Sequence, residues 1–144
     1  MPSKYLFLLL LISSCQSTPN FNSMGEIQTI KVYCFWCNVV SSHGFNEEQI
    51  RGYPRGEITD SGQTQTILEG LKKVAKGRSA DKNQDLSLIL DLIGSQDSLS
   101  VHIGANFWVD FSGVVYQSNL ESLQPIYDLL PPAAALDLSL ILTR

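Results

Sequence analysis

The motif Cys34-Phe35-Trp36-Cys37 has the CxxC spacing found in thiol–disulfide redox sites and in zinc sites. In redox proteins this motif begins a helix directly after a strand, and the helix N-terminus lowers the pKa of the first thiol. Residues 38–44, with the sequence NVVSSHG, have no helical pattern, and His43 is the nearest further zinc ligand. If a strand runs straight through the motif, Cys34 and Cys37 lie about 10 Å apart, too far for a disulfide. We interpret them as structural cysteines or an incidental disulfide, with redox chemistry and metal binding as alternatives.

A second candidate site consists of His102, Trp108 and Asp110, which fall on one face of predicted strands. In the register predicted below, His102 lies directly opposite Trp108. Three aliphatic residues share this face: Ile89, Ile93 and Val115. An exposed, partly apolar face of this kind would be a binding surface. The alternative is that the C-terminal tail or residues 41–56 cover it. His102 and Asp110 lack a nucleophile, so no catalytic residue is assigned.

The overall charge and the motif content exclude several function classes. The 144 residues include ten basic and fourteen acidic side chains, a net charge of −4, and no basic stripe. This argues against nucleic-acid binding and against electrostatic docking on anionic lipid. The sequence contains no glycine-rich phosphate loop, GxSxG, HExxH or EF-hand motif. We therefore expect a non-enzymatic protein with no cofactor and no metal.

The clearest predicted helix begins after residue 60. We expect it to pack on the sheet that contains His102, Trp108 and Asp110. Asp60 or Ser61 can cap its N-terminus, Gln63 approximates a capping box, and Gly77 ends it. Its apolar residues recur at helical spacing, on one stripe: Ile67, Leu68, Leu71, Val74 and Ala75.

Four segments after this helix alternate between apolar and polar residues and predict an antiparallel meander: 86–93, 99–103, 107–111 and 114–116. Keeping the leucines in the core requires Leu90 opposite Val101, Phe107 opposite Ile103 and Phe111 opposite Val114. A first strand is predicted within 26–40, and 41–56 reads as a loop because glycines and a proline interrupt it. The predicted fold is α+β, with an antiparallel meander sheet of about four to six strands and two helices on one face.

The second of these helices lies near Pro125, and two serines compete to cap it. Ser118 with Glu121 spells a capping box, but a cap there places Pro125 deep inside the helix, at a cost of about 3 kcal/mol. We therefore predict Ser122 as the cap and a helix over 122–130. Residues 137–142 repeat the letters of 85–90, and their period-two pattern predicts an extra strand in the tail, residues 133–144.

The N-terminus has the charged, apolar and small-residue order of a secretory signal. Lys4 precedes an apolar run over residues 5–12, about 12 Å long as a helix and far short of the roughly 30 Å hydrocarbon core. Ile12-Ser13-Ser14-Cys15 then follows in the order aliphatic, small, small, cysteine, which resembles the lipobox of bacterial lipoprotein signals. The resemblance implies removal of residues 1–14 and acylation of Cys15. Gln16 in place of an aspartate then favours the outer membrane over the inner membrane.

The remaining chain would be a tether and one domain. Residues 15–25 read as the lipidated cysteine and a flexible tether with a span of roughly 17 Å. Residues 26–132 form the predicted domain, whose order of elements resembles small Bacteroidota lipoproteins through Thr59-Asp60 and the Gly113–Tyr116 turn. We expect a bilayer-anchored binding or accessory domain with an envelope protein as partner. The alternatives are an envelope thiol–disulfide protein using Cys34 and Cys37, and an inhibitor or immunity-type lipoprotein.

Overall fold

The computed structural model describes residues 19–34, 45–80 and 85–132. Cys15, Cys37 and the tail strand expected at 137–142 lie outside the described residues. The strands are β1 (Ile27–Tyr33), β2 (Pro54–Ile58), β3 (Leu86–Gly94), β4 (Ser98–Gly104), β5 (Trp108–Phe111) and β6 (Val114–Gln117). The helices are α1 (Glu47–Arg51), α2 (Ser61–Val74) and α3 (Leu120–Tyr127), and a 3₁₀ turn covers Phe21–Met24.

The six strands form one antiparallel sheet in the order β2-β1-β3-β4-β5-β6. Strands β3 to β6 are the expected meander, because short turns connect strands that are neighbours in sequence. Strand β1 inserts between β2 and β3, so α2 carries the chain across it. The predicted α+β class and antiparallel sheet are confirmed.

Helix α2 and α3 pack on one face of this sheet and close the larger of two cores. Asp60 caps α2 as expected, since its carboxylate accepts a hydrogen bond from the Gln63 N–H at 2.9 Å. The core combines the apolar stripe of α2 with inward residues of the central strands. Its fully buried members include Ile67, Leu71, Leu88, Leu90, Leu92, Val101, Ile103, Val109, Leu123 and Ile126. Burying each such side chain stabilises the fold by roughly 1.5–3 kcal/mol.

Helix α3 begins earlier than the sequence predicts. Asn119 is its N-cap, and its side-chain oxygen accepts a hydrogen bond from the Ser122 N–H at 2.8 Å. The expected cap at Ser122 and span of 122–130 are therefore wrong, and Pro125 lies inside the helix. A helix of eight residues forgoes one backbone hydrogen bond at Pro125. The burial of Leu123 and Ile126 against the core offsets that loss.

The C-terminal part of the expected tether belongs to the domain. Residues Phe21–Met24 form the 3₁₀ turn, and Phe21 and Met24 are buried in the larger core. The Phe21 and Phe111 rings meet edge to face, with centroids 5.7 Å apart. The domain therefore begins before residue 26.

Residues 41–56 are not simply a loop, because this stretch contains α1 and the start of β2. Asn46 and Gln49 form a capping box, in which each side chain accepts the other residue's backbone N–H at 2.9 Å. Pro54 is tolerated at the start of β2 because β2 is an edge strand. The prediction of a loop was wrong here since a five-residue helix and a strand with proline and glycine leave little periodicity.

Two features of the meander differ from the predicted register. Leu90 faces Val101 and Phe111 faces Val114 as expected, but Ile103 pairs with Val109 and not with Phe107. Phe107 has φ +60°, so it belongs to the turn. A bulge between Leu86 and Leu88 likewise turns Leu86 to the opposite face.

No helix in the ranges given above is long and apolar enough to cross a membrane.

Candidate functional site

The candidate site lies on the sheet face opposite α2 and α3, where α1 covers a second, smaller core. Ile50 projects from α1 into this core and is 1 % exposed. Leu86, Ile89 and Trp108 complete the buried cluster. Helix α1, which lies within residues 41–56, therefore covers this face of the sheet.

Arg51, at the end of α1, binds three acceptors on two other elements and on its own helix. Its Nη1 and Nη2 donate to the two carboxylate oxygens of Asp91 on β3, at 2.7 and 3.1 Å. Nη2 also donates to the Ser100 hydroxyl on β4 at 3.0 Å, and Nε donates to Glu47 at 2.8 Å. The guanidinium carbon lies 5.2 Å from the centre of the Tyr33 ring. Arg51 therefore ties α1 to β1, β3 and β4.

The charges in this cluster stabilise one another. The hydrogen bond to Asp91 raises the pKa of Arg51 further above its ordinary value. Burial alone would raise the pKa of Asp91, but hydrogen bonds from Arg51 and Ser100 and the charge of Arg51 lower it below its ordinary value. Arg51 and Asp91 therefore both stay charged at neutral pH, and the Ser100 hydroxyl donates to Asp91.

His102 and Asp110 are brought together, but in a different pairing from the one predicted. In the β4–β5 register His102 lies opposite Asp110, whereas the sequence predicts Trp108 at that position. His102 Nε2 is 3.6 Å from a Glu47 carboxylate oxygen. Asp110 accepts a hydrogen bond from the Gly113 N–H at 2.6 Å, which closes the β5–β6 turn. Asp110 therefore has a structural role at that turn.

Trp108 is an interior residue and not part of an exposed surface. It is 1 % exposed, and Asp110 is 6 % exposed. The Trp108 indole lies against Gly104, where an added Cβ would be 2.0 Å from the indole Nε1 and Cε2. His102, Trp108 and Asp110 thus share a face, as predicted, but α1 and the second core bury most of that face.

The polar cluster of Glu47, Arg51, Asp91, Ser100 and His102 contains the residue types of an acid–base site. Its charged and polar groups, however, bind one another. Arg51 neutralises Asp91, and the Ser100 proton points to Asp91 and not to His102. A hydrolytic triad needs its serine beside the imidazole. The arrangement is suited to holding α1 on the sheet.

Cys34 lies directly after β1, which ends at Tyr33. The rest of the CxxC motif, including Cys37, lies outside the described residues. Cys34 is 3 % exposed, packs in the larger core and is disulfide-bonded. Its sulfur lies 4.0 Å from Arg55 Nη1, and Arg55 Nε donates to the Pro131 carbonyl at 2.9 Å. An arginine thus sits beside one sulfur of the disulfide.

Metal binding finds no support in the described ranges. Within residues 19–34, 45–80 and 85–132, no group of three or more His, Cys, Asp or Glu side chains could hold a metal ion.

Sequence reasoning missed Arg51, Glu47 and Asp91, the central charges of the cluster. The letters Asn46-Glu47-Glu48-Gln49 do spell a capping box, and Glu47 with Arg51 is an i,i+4 pair of favourable polarity. These signals indicate the helix. They do not indicate Asp91, which lies 40 residues along the chain.

Comparison of the chain with protein-family models, with curated proteins and with solved structures found no match.

Proposed function

We propose that this chain is an exported lipoprotein, in which acylated Cys15 holds a small non-enzymatic binding or accessory domain on a membrane of the bacterial cell envelope. The observation that carries the proposal is the order of Lys4, the apolar run 5–12, and the motif Ile12-Ser13-Ser14-Cys15. Several acyl chains, each stabilised by about 0.8 kcal/mol per buried CH₂, anchor such a protein stably.

The disulfide at Cys34 supports an exported location. Disulfides persist in oxidising compartments and are rare in a reducing cytosol. A disulfide-bonded Cys34 in the core of a small domain therefore favours a location in the cell envelope.

The number of cysteines makes the pairing of the disulfide depend on the proposed lipid anchor. The sequence contains three cysteines, Cys15, Cys34 and Cys37. A thioether-linked Cys15 cannot form a disulfide, so the proposal requires Cys37 as the partner of Cys34. Peptide mapping without reduction should find a Cys34–Cys37 link, and a Cys15–Cys34 link would contradict the proposal.

A binding or accessory role is favoured over catalysis because the polar groups near His102 are committed to structure. Arg51, Asp91 and Ser100 satisfy one another, and Trp108 is buried. The domain would then act through its outer surface on an envelope partner. An inhibitor or immunity-type lipoprotein belongs to the same class of role.

The anchor is tested by substituting Cys15→Ala and separating membranes from soluble fractions of a bacterial host. The wild-type chain should be in the membrane fraction and should incorporate an alkyne-tagged palmitate. Cys15→Ala should lose the tag and leave the membrane fraction as salt is raised. Ser17→Ala is the matched control and should behave as wild type. Unchanged tagging of Cys15→Ala would overturn the proposal.

A thiol–disulfide protein is the second candidate, favoured by the Arg55 guanidinium beside the Cys34 sulfur. A nearby positive charge stabilises a thiolate and lowers its pKa. The reduction potential of the disulfide separates the two candidates. A catalytic disulfide should have a potential above about −270 mV, and a structural disulfide one below about −300 mV.

A further inference from the structure

The N-terminal segment of the domain is fixed to the sheet, which gives Pro19 a defined position. Phe21 packs edge to face on Phe111, and Met24 is 2 % exposed. The backbone of Met24 approaches Gly94 so closely that an added Cβ there would lie 2.1 Å from the Met24 carbonyl oxygen. The Pro19 carbonyl accepts a hydrogen bond from the Phe21 N–H at 3.1 Å, so Pro19 is held beside this segment.

The distance from Pro19 to the proposed lipid anchor is short. Four residue steps separate Cys15 from Pro19, and a fully extended chain spans at most about 14 Å over four steps. A lipid on Cys15 thus keeps the surface around Pro19 near the headgroups. The tether is therefore shorter than the eleven residues, 15–25, that the sequence suggests.

A surface cleft of about 700 Å³ opens beside Pro19, and two lysines line it. Lys72 and Lys76 are four residues apart at the end of α2, so they lie on the same side of the chain as it leaves the helix. The other lining residues are uncharged: Pro19, Asn20, Phe21, Asn22 and Ala75.

The lysines at this cleft are available for an outside partner. No ion pair joins Lys72, Lys73 or Lys76 to any carboxylate in the described parts of the chain. Lysines at a helix C-terminus also stabilise the helix dipole, but that effect does not require them to line a cleft. The acidic residue near Pro19, Asp97, lines a different cleft of about 330 Å³. The two clefts, which share Pro19 and Asn20 in their lining, therefore differ in charge.

We propose that the cleft lined by Lys72 and Lys76 is a docking surface for the phosphate groups of anionic membrane lipids. This inference rests on the proposed lipid anchor at Cys15, which places the cleft at the membrane. The net negative charge of the chain argues against docking of the free protein on an anionic membrane. It does not describe the local electrostatic field at this cleft. Screening at physiological ionic strength acts over about 8 Å, so nearby lysines dominate. Each lysine close to an anionic surface strengthens binding by about fivefold.

The test measures lysine acetylation in the full lipidated chain, reconstituted in vesicles of phosphatidylglycerol or of phosphatidylcholine. Mass spectrometry reports the acetylation rate of each lysine. Lys72 and Lys76 should react about fivefold more slowly in phosphatidylglycerol than in phosphatidylcholine, and 0.5 M salt should remove most of this protection. Lys31 on β1 faces away from α2 and should react equally in both. Lys72 and Lys76 reacting equally in both vesicles would overturn the proposal.

Two further arms identify the occupant of the cleft. Inorganic phosphate is added to phosphatidylcholine vesicles at matched ionic strength, and protection there would indicate free phosphate in place of lipid. Equal protection in detergent and in both vesicles would indicate that the chain's own N-terminal residues fill the cleft. Either result overturns docking on lipid.

Substitutions test the same surface while keeping the fold under control. Lys72→Glu with Lys76→Glu should abolish the difference in accessibility of a probe on Asn22 between the two vesicles. Lys73→Glu reverses one charge at the same helix end, half the charge change of the double variant, and should keep the difference, whereas Lys72→Glu alone, with the same charge change as Lys73→Glu, should reduce it. The intact mass is measured in every sample, because a missing acyl group reports failure of the anchor and not of the docking surface.

Discussion

Arg51 on α1 binds Asp91 on β3 with both ends of its guanidinium, Nη1 to Oδ2 at 2.7 Å and Nη2 to Oδ1 at 3.1 Å. Two parallel hydrogen bonds fix the orientation as well as the distance. Because a helix of five residues has little stability alone, this contact and the burial of Ile50 hold α1 on the sheet.

Replacing Arg51 with lysine should destabilise the domain by about 1–2 kcal/mol. Lysine keeps the charge but cannot make the two parallel bonds to Asp91 while also donating to Ser100. The Arg51 side chain is 32 % exposed, and solvent screening of its charge keeps this loss small. Urea unfolding followed by circular dichroism measures the loss. Arg78→Lys, at an exposed arginine, should change stability by less than about 0.5 kcal/mol. Equal effects of the two substitutions would contradict this role.

The same pair predicts a dependence of stability on pH. The folded-state pKa of Asp91 lies below its ordinary value of 3.8. The stability it contributes is therefore complete above pH 3.8 and is lost as pH falls from there through the folded-state pKa. Unfolding free energies of wild type and Asp91→Asn should differ most at neutral pH and converge below pH 3.8. A difference that stays constant down to pH 2 would show that the charge of Asp91 is irrelevant.

Gly104→Ala should destabilise the domain by about 2–3 kcal/mol. The new Cβ would overlap the Trp108 indole, and Trp108 has no room to move since it is buried in the second core. Gly62→Ala is the control, because its nearest neighbour would be Asp60 Oδ1 at 3.3 Å and alanine favours the helix. Thermal unfolding of both variants provides the measurement. A neutral Gly104→Ala would mean that Trp108 packs elsewhere.

Cys34→Ala and Cys37→Ala should destabilise the domain equally, by about 2 kcal/mol for a loop of four residues. Both substitutions break the same bond under the proposed pairing, so the double variant should lose no more than either single one. Wild type unfolded with reductant should match them. If Cys37→Ala left Cys34 oxidised, the pairing would be wrong.

The sequence predicts the elements whose local signals agree with their burial. Helix α2 has an N-cap and an apolar stripe, and the structure places it at Ser61–Val74, with Ala75 as its C-cap two residues before the expected Gly77. The leucines of β3 alternate strictly, which places Leu90 opposite Val101. In both elements a single period decides which face enters the core.

The remaining features depend on contacts that no local pattern encodes. Phe107 alternates correctly for a strand, yet the turn takes it at φ +60° and shifts His102 to face Asp110. The bulge at Leu86 changes its face without any glycine or proline to signal it. Arg51 meets Asp91 and Ser100 only because β3 and β4 pair beneath α1. Tertiary packing therefore determines which residues meet at the candidate site, whereas local sequence patterns determine most of the strands of the sheet.

The central claim is the lipid on Cys15, and the intact mass of the chain purified from bacterial membranes tests it most directly. The account predicts a protein that begins at Cys15 and carries the added mass of a diacylglycerol and an acyl chain. It also predicts a mass two hydrogens below the reduced form, because Cys34 is disulfide-bonded. A chain that retains residues 1–14, or one that begins at another residue with no acyl mass, would contradict the account.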